Sequence, residues 1–207
     1  MRNITYILAA STLLTLFGCA TLDRADCLNA DWRTLGFEDG VKGRNQSQIS
    51  QYRQDCAEHG VTPDLNAYRQ GHTEGAAQFC TAQNGFRQGM QNNTYQNSCP
   101  ADLEAAFMSG YRDGQLVYEA RSRVDNARSE QRKLGRYIDE HEKDIKQLNE
   151  QLVADGLSRE QRVNVRDKLA AHNENLGQAK LRHAELTAAI IILQRDFDRV
   201  RASMSHY

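Results

Sequence analysis

The side chains able to carry chemistry in this 207-residue chain are few: five cysteines, six histidines and a scatter of carboxylates. Cys27, Cys56, Cys80 and Cys99 form an even set within 73 residues, and no cysteine follows Cys99. No CxxC pair and no Cys/His cluster has zinc-ligand spacing, so these four read as two disulfides. His59, His72 and His206 stand alone in the sequence. Asp39 and Asp113 hold the same place in a short motif whose other copies carry Gln70 and Gln88, which points to helix-surface roles. No GxSxG, HExxH or phosphate-loop motif occurs, no nucleophile is paired with a base, and no cofactor is expected. Catalytic residues: none.

The fifth cysteine has a different setting. Met1-Arg2-Asn3 is a minimal basic start, and Ile4 to Phe17 is uncharged and largely apolar. That is the length of a secretory h-region and short of the ~20 residues a spanning helix needs. Leu16-Phe17-Gly18-Cys19 then resembles the lipobox of bacterial lipoproteins. The resemblance implies cleavage before Cys19 and acylation of its thiol, with two or three chains making a durable anchor. Residues 1–18 are then a signal peptide and 19–26 a lipidated linker. Ala20 in place of aspartate implies sorting to the outer membrane, facing the periplasm.

Removing Arg2 with the leader leaves 25 Lys+Arg against 27 Asp+Glu, a balance of −2. Such near-neutrality excludes a polybasic footprint, and no nucleic-acid partner is expected. Only two prolines occur, and the expected fold is all-α. Composition shifts near residue 115. Residues 27–115 form a cysteine- and glycine-rich helical domain. Residues 116–207 are rich in Glu, Lys, Arg, Gln, Leu and Ala, with three of the 14 glycines and no proline.

Cap signals place the first domain's helices. Asp31 opens one that runs to about Val41, and a second runs from about Gln46 to His59 before Gly60. Thr62-Pro63 opens a third, to about Phe79, with proline at its first position. A short helix fits residues 82–90, and Ser98 and Pro100 open a long one. Four cysteines allow three pairings. Cys27–Cys56 and Cys80–Cys99 are preferred, because antiparallel first and second helices would bring Cys27 and Cys56 to one end. Cys80 ends the third helix and Cys99 precedes the long one.

A small-aromatic-x-x-Gly motif recurs as Gly36-Phe37-x-x-Gly40, Ala67-Tyr68-x-x-Gly71, Gly85-Phe86-x-x-Gly89 and Gly110-Tyr111-x-x-Gly114. Glycine costs a helix roughly 1 kcal/mol against alanine, so four placements imply a packing demand. Steps of 31, 18 and 25 residues exclude a regular solenoid. With Asp31-Trp32, Cys56-Ala57, Pro63-Asp64, Phe79-Cys80-Thr81, Tyr95 and Cys99-Pro100, these motifs resemble the bacterial lipoproteins of domain-of-unknown-function family 2799, over about residues 27–118. The resemblance implies an envelope lipoprotein and brings no catalytic residue.

Residues 116–207 carry heptads. Val124, Gln131, Ile138, Ile145 and Leu152 share one seam position, and Ala120, Ala127, Leu134, His141 and Leu148 the other. Ala154 to Ser158 interrupts the pattern, and Ser158-x-x-Gln161 reads as a capping box. Folding at Gly156 pairs residues whose numbers sum to 313 or 314, so an antiparallel helical hairpin is expected, with arms of roughly 55–60 Å. Its polar layers set His141 opposite His172 and Gln131 opposite His183. These layers fix register; the facing imidazoles are weak metal candidates, with Glu140, Glu142 and Asn173 near them in sequence.

The expectation is therefore a membrane-anchored envelope lipoprotein with a structural or protein-interaction role. Its partners would be the lipid membrane, through the acylated N-terminus, and a protein or second copy met by the hairpin. The alternative is a ligand-binding or inhibitor module using a groove among Trp32, Phe37, Tyr68, Phe86 and Tyr111.

Overall fold

The structure, a computed structural model, describes residues 22–207; Cys19 and the leader lie outside the described residues. Helices make up the fold, and the described residues contain no strand. They run α1 (Arg24–Leu28), α2 (Trp32–Val41), α3 (Gln48–Ala57), α4 (Leu65–Phe79), α5 (Ala82–Met90), α6 (Ala101–Val153) and α7 (Arg159–Ser203). Two compact units divide between Ala76 and Ala77, not at the composition shift near residue 115. The reason is that α6 continues unbroken through that shift: its first turns pack on α5 and the rest on α7.

In the first unit, α1 is a helix that the sequence pattern did not suggest. Asp23 and Asp26 cap it reciprocally. The Asp31 side chain caps α2 through Arg33 N and Thr34 N. Gly43 and Gly60, with φ of 70° and 71°, end α2 and α3 in the left-handed region. The expected proline start of α4 is displaced by two residues. Asp64 accepts from Asn66 N (2.9 Å) and Ala67 N (3.0 Å), so an aspartate cap outcompetes proline and Pro63 lies outside the helix. Ile49, Tyr52 and Tyr68 form the core, flanked by Leu22, Trp32 and Leu65. Cys27 of α1 bonds Cys56 of α3 across a Cα separation of 5.5 Å. The bond thus joins α1 to α3, whereas α2 lays its glycine face on α4.

In the second unit, Cys80–Cys99 ties the residue before α5's cap to the loop before α6, with Cα atoms 5.6 Å apart. Phe79, Tyr95, Phe107 and Tyr111 form a ring cluster, with Phe107 centred 5.3 Å from Phe79 and 5.0 Å from Tyr95. The 53-residue α6 is about 80 Å long. Gly156 (φ 87°) turns the chain, and Ser158 with Gln161 forms the expected capping box of α7. The hairpin register holds at the histidine layer and near the turn. His141 Nδ1 lies 2.7 Å from His172 Nδ1, and Arg162 donates to the Leu152 carbonyl at 2.7 Å. Gln131 departs from the expected pairing. It donates to Thr187 Oγ1 (2.7 Å), one turn beyond His183. Buried Ala120, Val124, Val165, Ala179 and Leu186 line the seam.

Candidate functional site

The glycine motifs build two copies of one device. In the first unit, a Cβ on Gly36 or Gly40 would overlap the carbonyl oxygen of Tyr68 or His72 on α4. In return, a Cβ on Gly71 or Gly75 would overlap the carbonyl of Arg33 or Phe37 on α2. The second unit repeats this. Gly85 and Gly89 of α5 meet the carbonyls of Phe107 and Tyr111, and Gly110 and Gly114 of α6 meet those of Ala82 and Phe86. Backbones approach this closely only where glycine removes the side chain, and the Cα–H groups then face carbonyls across the joint.

The correspondence explains the uneven steps in the sequence. First helices match at an offset of 49 residues (Gly36 to Gly85, Phe37 to Phe86) and second helices at 39 (Tyr68 to Phe107, Gly71 to Gly110, Gly75 to Gly114). The second-helix motif is longer than expected: Ala67-Tyr68-x-x-Gly71-His72-x-x-Gly75 parallels Ala106-Phe107-x-x-Gly110-Tyr111-x-x-Gly114. Each unit therefore holds one disulfide and one glycine-knit helix pair, a helix-pair module present twice.

The aromatic residues of the proposed groove divide between the modules. Tyr68 and Tyr111 are buried, and Trp32, Phe37 and Phe86 half-buried. Phe86 stacks on Tyr207, ring centres 4.6 Å apart, while the Tyr207 hydroxyl donates to Asp113 (2.6 Å). The Asp113 carboxylate pushes the Tyr207 phenol above its ordinary pKa.

Asp39 corrects the sequence reading. It is 2% exposed, not on the helix surface. Its Oδ2 accepts from the hydroxyls of Tyr52 (2.9 Å) and Tyr68 (2.8 Å), and its Oδ1 from Arg44 Nη1 (3.0 Å). A carboxylate can stay in an apolar core when three donors replace its water. The second module has Gln88 at this position and phenylalanine at Phe107, so it needs no buried anion. His72, 1% exposed, donates from Nε2 to the Arg44 carbonyl at 2.7 Å and completes the network. Its Nδ1 has no hydrogen-bond partner. No sequence signal announced this cluster, since its members come from α2, the following loop, α3 and α4.

Burial, then the Asp39 carboxylate, pushes the Tyr52 phenol up to about 12 and raises Tyr68 as well. Folded phenols that ionise above their unfolded value near 10 stabilise the fold below that pH. Stability of the first unit should therefore fall as pH rises from about 10 through about 12. Alkaline titration by circular dichroism checks this: Tyr52→Phe should flatten the decline, and an unchanged profile would refute it.

On the hairpin, His141, Asp144 and His172 each place one ligand atom within 4.8 Å of the others. Of the neighbours expected from sequence, Glu142 instead pairs with Lys180 (2.7 Å), and Asn173 donates to the Leu169 carbonyl (2.8 Å). Asp144, which the pattern did not single out, comes near because it lies one turn from His141 on the same face.

No curated protein and no solved structure matches the chain. One family does match, over residues 31–116, the span that begins at the α2 cap and ends two residues after Gly114. This segment, which holds both glycine-knit helix pairs, belongs to the family described as protein of unknown function DUF2799.

Proposed function

We propose that the protein is a lipid-anchored component of a bacterial envelope, held at the outer membrane through Cys19, with a structural or protein-interaction role in the periplasm. The observation that carries the interaction role is a second apolar face on α7. Leu186, Ala179 and Val165 turn to the hairpin seam and are buried. Leu181, Ile191 and Ile192 are 65%, 52% and 67% exposed. With Ala184 and Ala188, also exposed, they fall within a sector of about 100° on the helix. A helix that is apolar on two faces but covered on one suits a further helix or protein surface.

The leader and the two disulfides support the compartment, since such bonds persist where the surroundings are oxidising. No helix of the described residues is long and apolar enough to cross a membrane. The acyl chains would then supply the attachment, and the seven residues between Cys19 and Cys27 would keep the first disulfide within about 25 Å of the bilayer. Facing backbone fills the glycine grooves, which favours packing over ligand binding as their purpose.

Two measurements test the proposal. Labelled palmitate should enter the wild-type protein and not Cys19→Ser. Photo-crosslinkers at Leu181 and Ile192 should give one discrete adduct in cells, and the same group at exposed Lys146 none. Equal labelling of Cys19→Ser defeats the anchor; a smear or nothing at Leu181 and Ile192 defeats the interaction role.

A further inference from the structure

The geometry points to a divalent transition-metal site that staples the hairpin, formed by His141 and Asp144 of α6 and His172 of α7. The facing Nδ1 atoms of His141 and His172 are 2.7 Å apart. Neither nitrogen has an acceptor better placed than the other, and only one of them can carry the shared proton. Asp144 Oδ2 lies 3.7 Å from His172 Nδ1. The three side chains are half-buried, so a cation can enter from solvent and still lose part of its water.

The distances fit a borderline ion of the zinc class. Zinc binds imidazole nitrogen at about 2.0–2.1 Å and carboxylate oxygen at about 2.0–2.2 Å, so tetrahedral ligand atoms lie about 3.3–3.4 Å apart. Opening the nitrogen pair by about 0.6 Å and closing the carboxylate on His172 by about 0.3 Å approaches that arrangement, with Asp144 drawn toward His141 from a separation within 4.8 Å. Side-chain rotations of the three half-buried residues supply these movements. Two nitrogens and one oxygen favour zinc, copper or nickel over calcium or magnesium, which demand more oxygen ligands. A water would complete four-coordination.

The two histidines come from opposite helices, so the ion would close the 30 residues between them, which include the turn at Gly156. The proposal is independent of the membrane anchor and of the α7 face. Its effect would be to hold α6 and α7 in register midway along the arm, where packing is thinnest: no residue from 125 to 153 of α6 is buried.

The test uses the full-length chain in detergent, stripped with a chelator and titrated with zinc chloride in a calorimeter. One ion should bind per chain, with magnesium giving no heat. His141→Leu and His172→Leu should each weaken binding at least 10–100-fold, the range that even outer-shell partners of metal ligands command. Asp144→Asn should weaken it less. Zinc should raise the melting temperature of the wild type and leave that of His172→Leu unchanged. Cobalt in the unsubstituted protein gives a reading that no variant can confound by misfolding: an intense visible band marks four-coordination, and the pale band of an octahedral ion marks surface carboxylates. Absence of zinc binding, the pale cobalt band, or full-strength binding in a folded His172→Leu protein would each overturn the site.

Discussion

Replacing Gly110 with alanine is expected to destabilise the second unit by about 3 kcal/mol, whereas the same change at Gly135 on the same helix should stabilise it by about 1 kcal/mol. The added methyl is identical, and its surroundings decide the sign. At Gly110 it would overlap the carbonyl oxygen of Ala82 and press on the nitrogen of Phe86, both backbone atoms of α5. A side chain can rotate away, but a helix backbone must move as a body and carry its neighbours with it. The joint is reciprocal. Separating the helices at Gly110 also disturbs Gly85 against Phe107 and Gly114 against Phe86, so the penalty sits at the upper end of overpacking costs. At Gly135 and Gly177 nothing lies within 4 Å of the new carbon, leaving only the gain in helix propensity. Urea unfolding of Gly110→Ala, Gly135→Ala and Gly177→Ala measures all three. Equal effects at Gly110 and Gly135 would show that the close joint contributes nothing to stability. Gly71→Ala, which meets the Arg33 carbonyl in the first module, should behave like Gly110→Ala.

Reduction of the disulfides should separate the two units in stability. Opening Cys27–Cys56, which spans 29 residues, releases about 3.6 kcal/mol of chain entropy to the unfolded state. The 19-residue span of Cys80–Cys99 is worth about 3.2 kcal/mol on the same basis. The losses are similar but the reserves differ. Among its described residues, the first unit has three large apolar side chains at its core, Ile49, Tyr52 and Tyr68, beside the buried Asp39 cluster. A domain of this size is marginal without such a staple. The second unit draws further on the α6·α7 seam. Cys27→Ser/Cys56→Ser should therefore lose protection of α2–α4 amides from hydrogen exchange at 37 °C while the hairpin amides keep theirs. If both units lost protection together, the division of stability at Ala76/Ala77 would be wrong.

These two expectations rest on features of unequal visibility. The hairpin could be read from the sequence, because heptad spacing is a local property and a two-helix seam has one partner to choose. Once Gly156 fixes the turn, arithmetic places His141 against His172, and the structure has them in contact. Caps are equally local: Asp31 and Ser158 act within three residues of themselves. The glycine motifs announced close packing, but not against what. Four similar helices offered several pairings, and only the fold shows α2 with α4 and α5 with α6.

What the sequence by itself determined is the all-helical class, the caps at Asp31 and Ser158, the even set of four cysteines, and the histidine layer of the arm. Each follows from forces acting within a few turns of one helix or between two helices joined by a short loop. What only the tertiary structure decided is which glycine face meets which, and why Asp39 is buried. Its neighbours Arg44, Tyr52 and Tyr68 stand 5, 13 and 29 residues away, and no periodicity in the chain encodes that a buried carboxylate will find three donors. Asp144 stands one turn from His141 on α6, but only the packing of α7 brings His172 to both. A side chain's chemistry depends on what packing brings within hydrogen-bond reach, and that reach is set across helices.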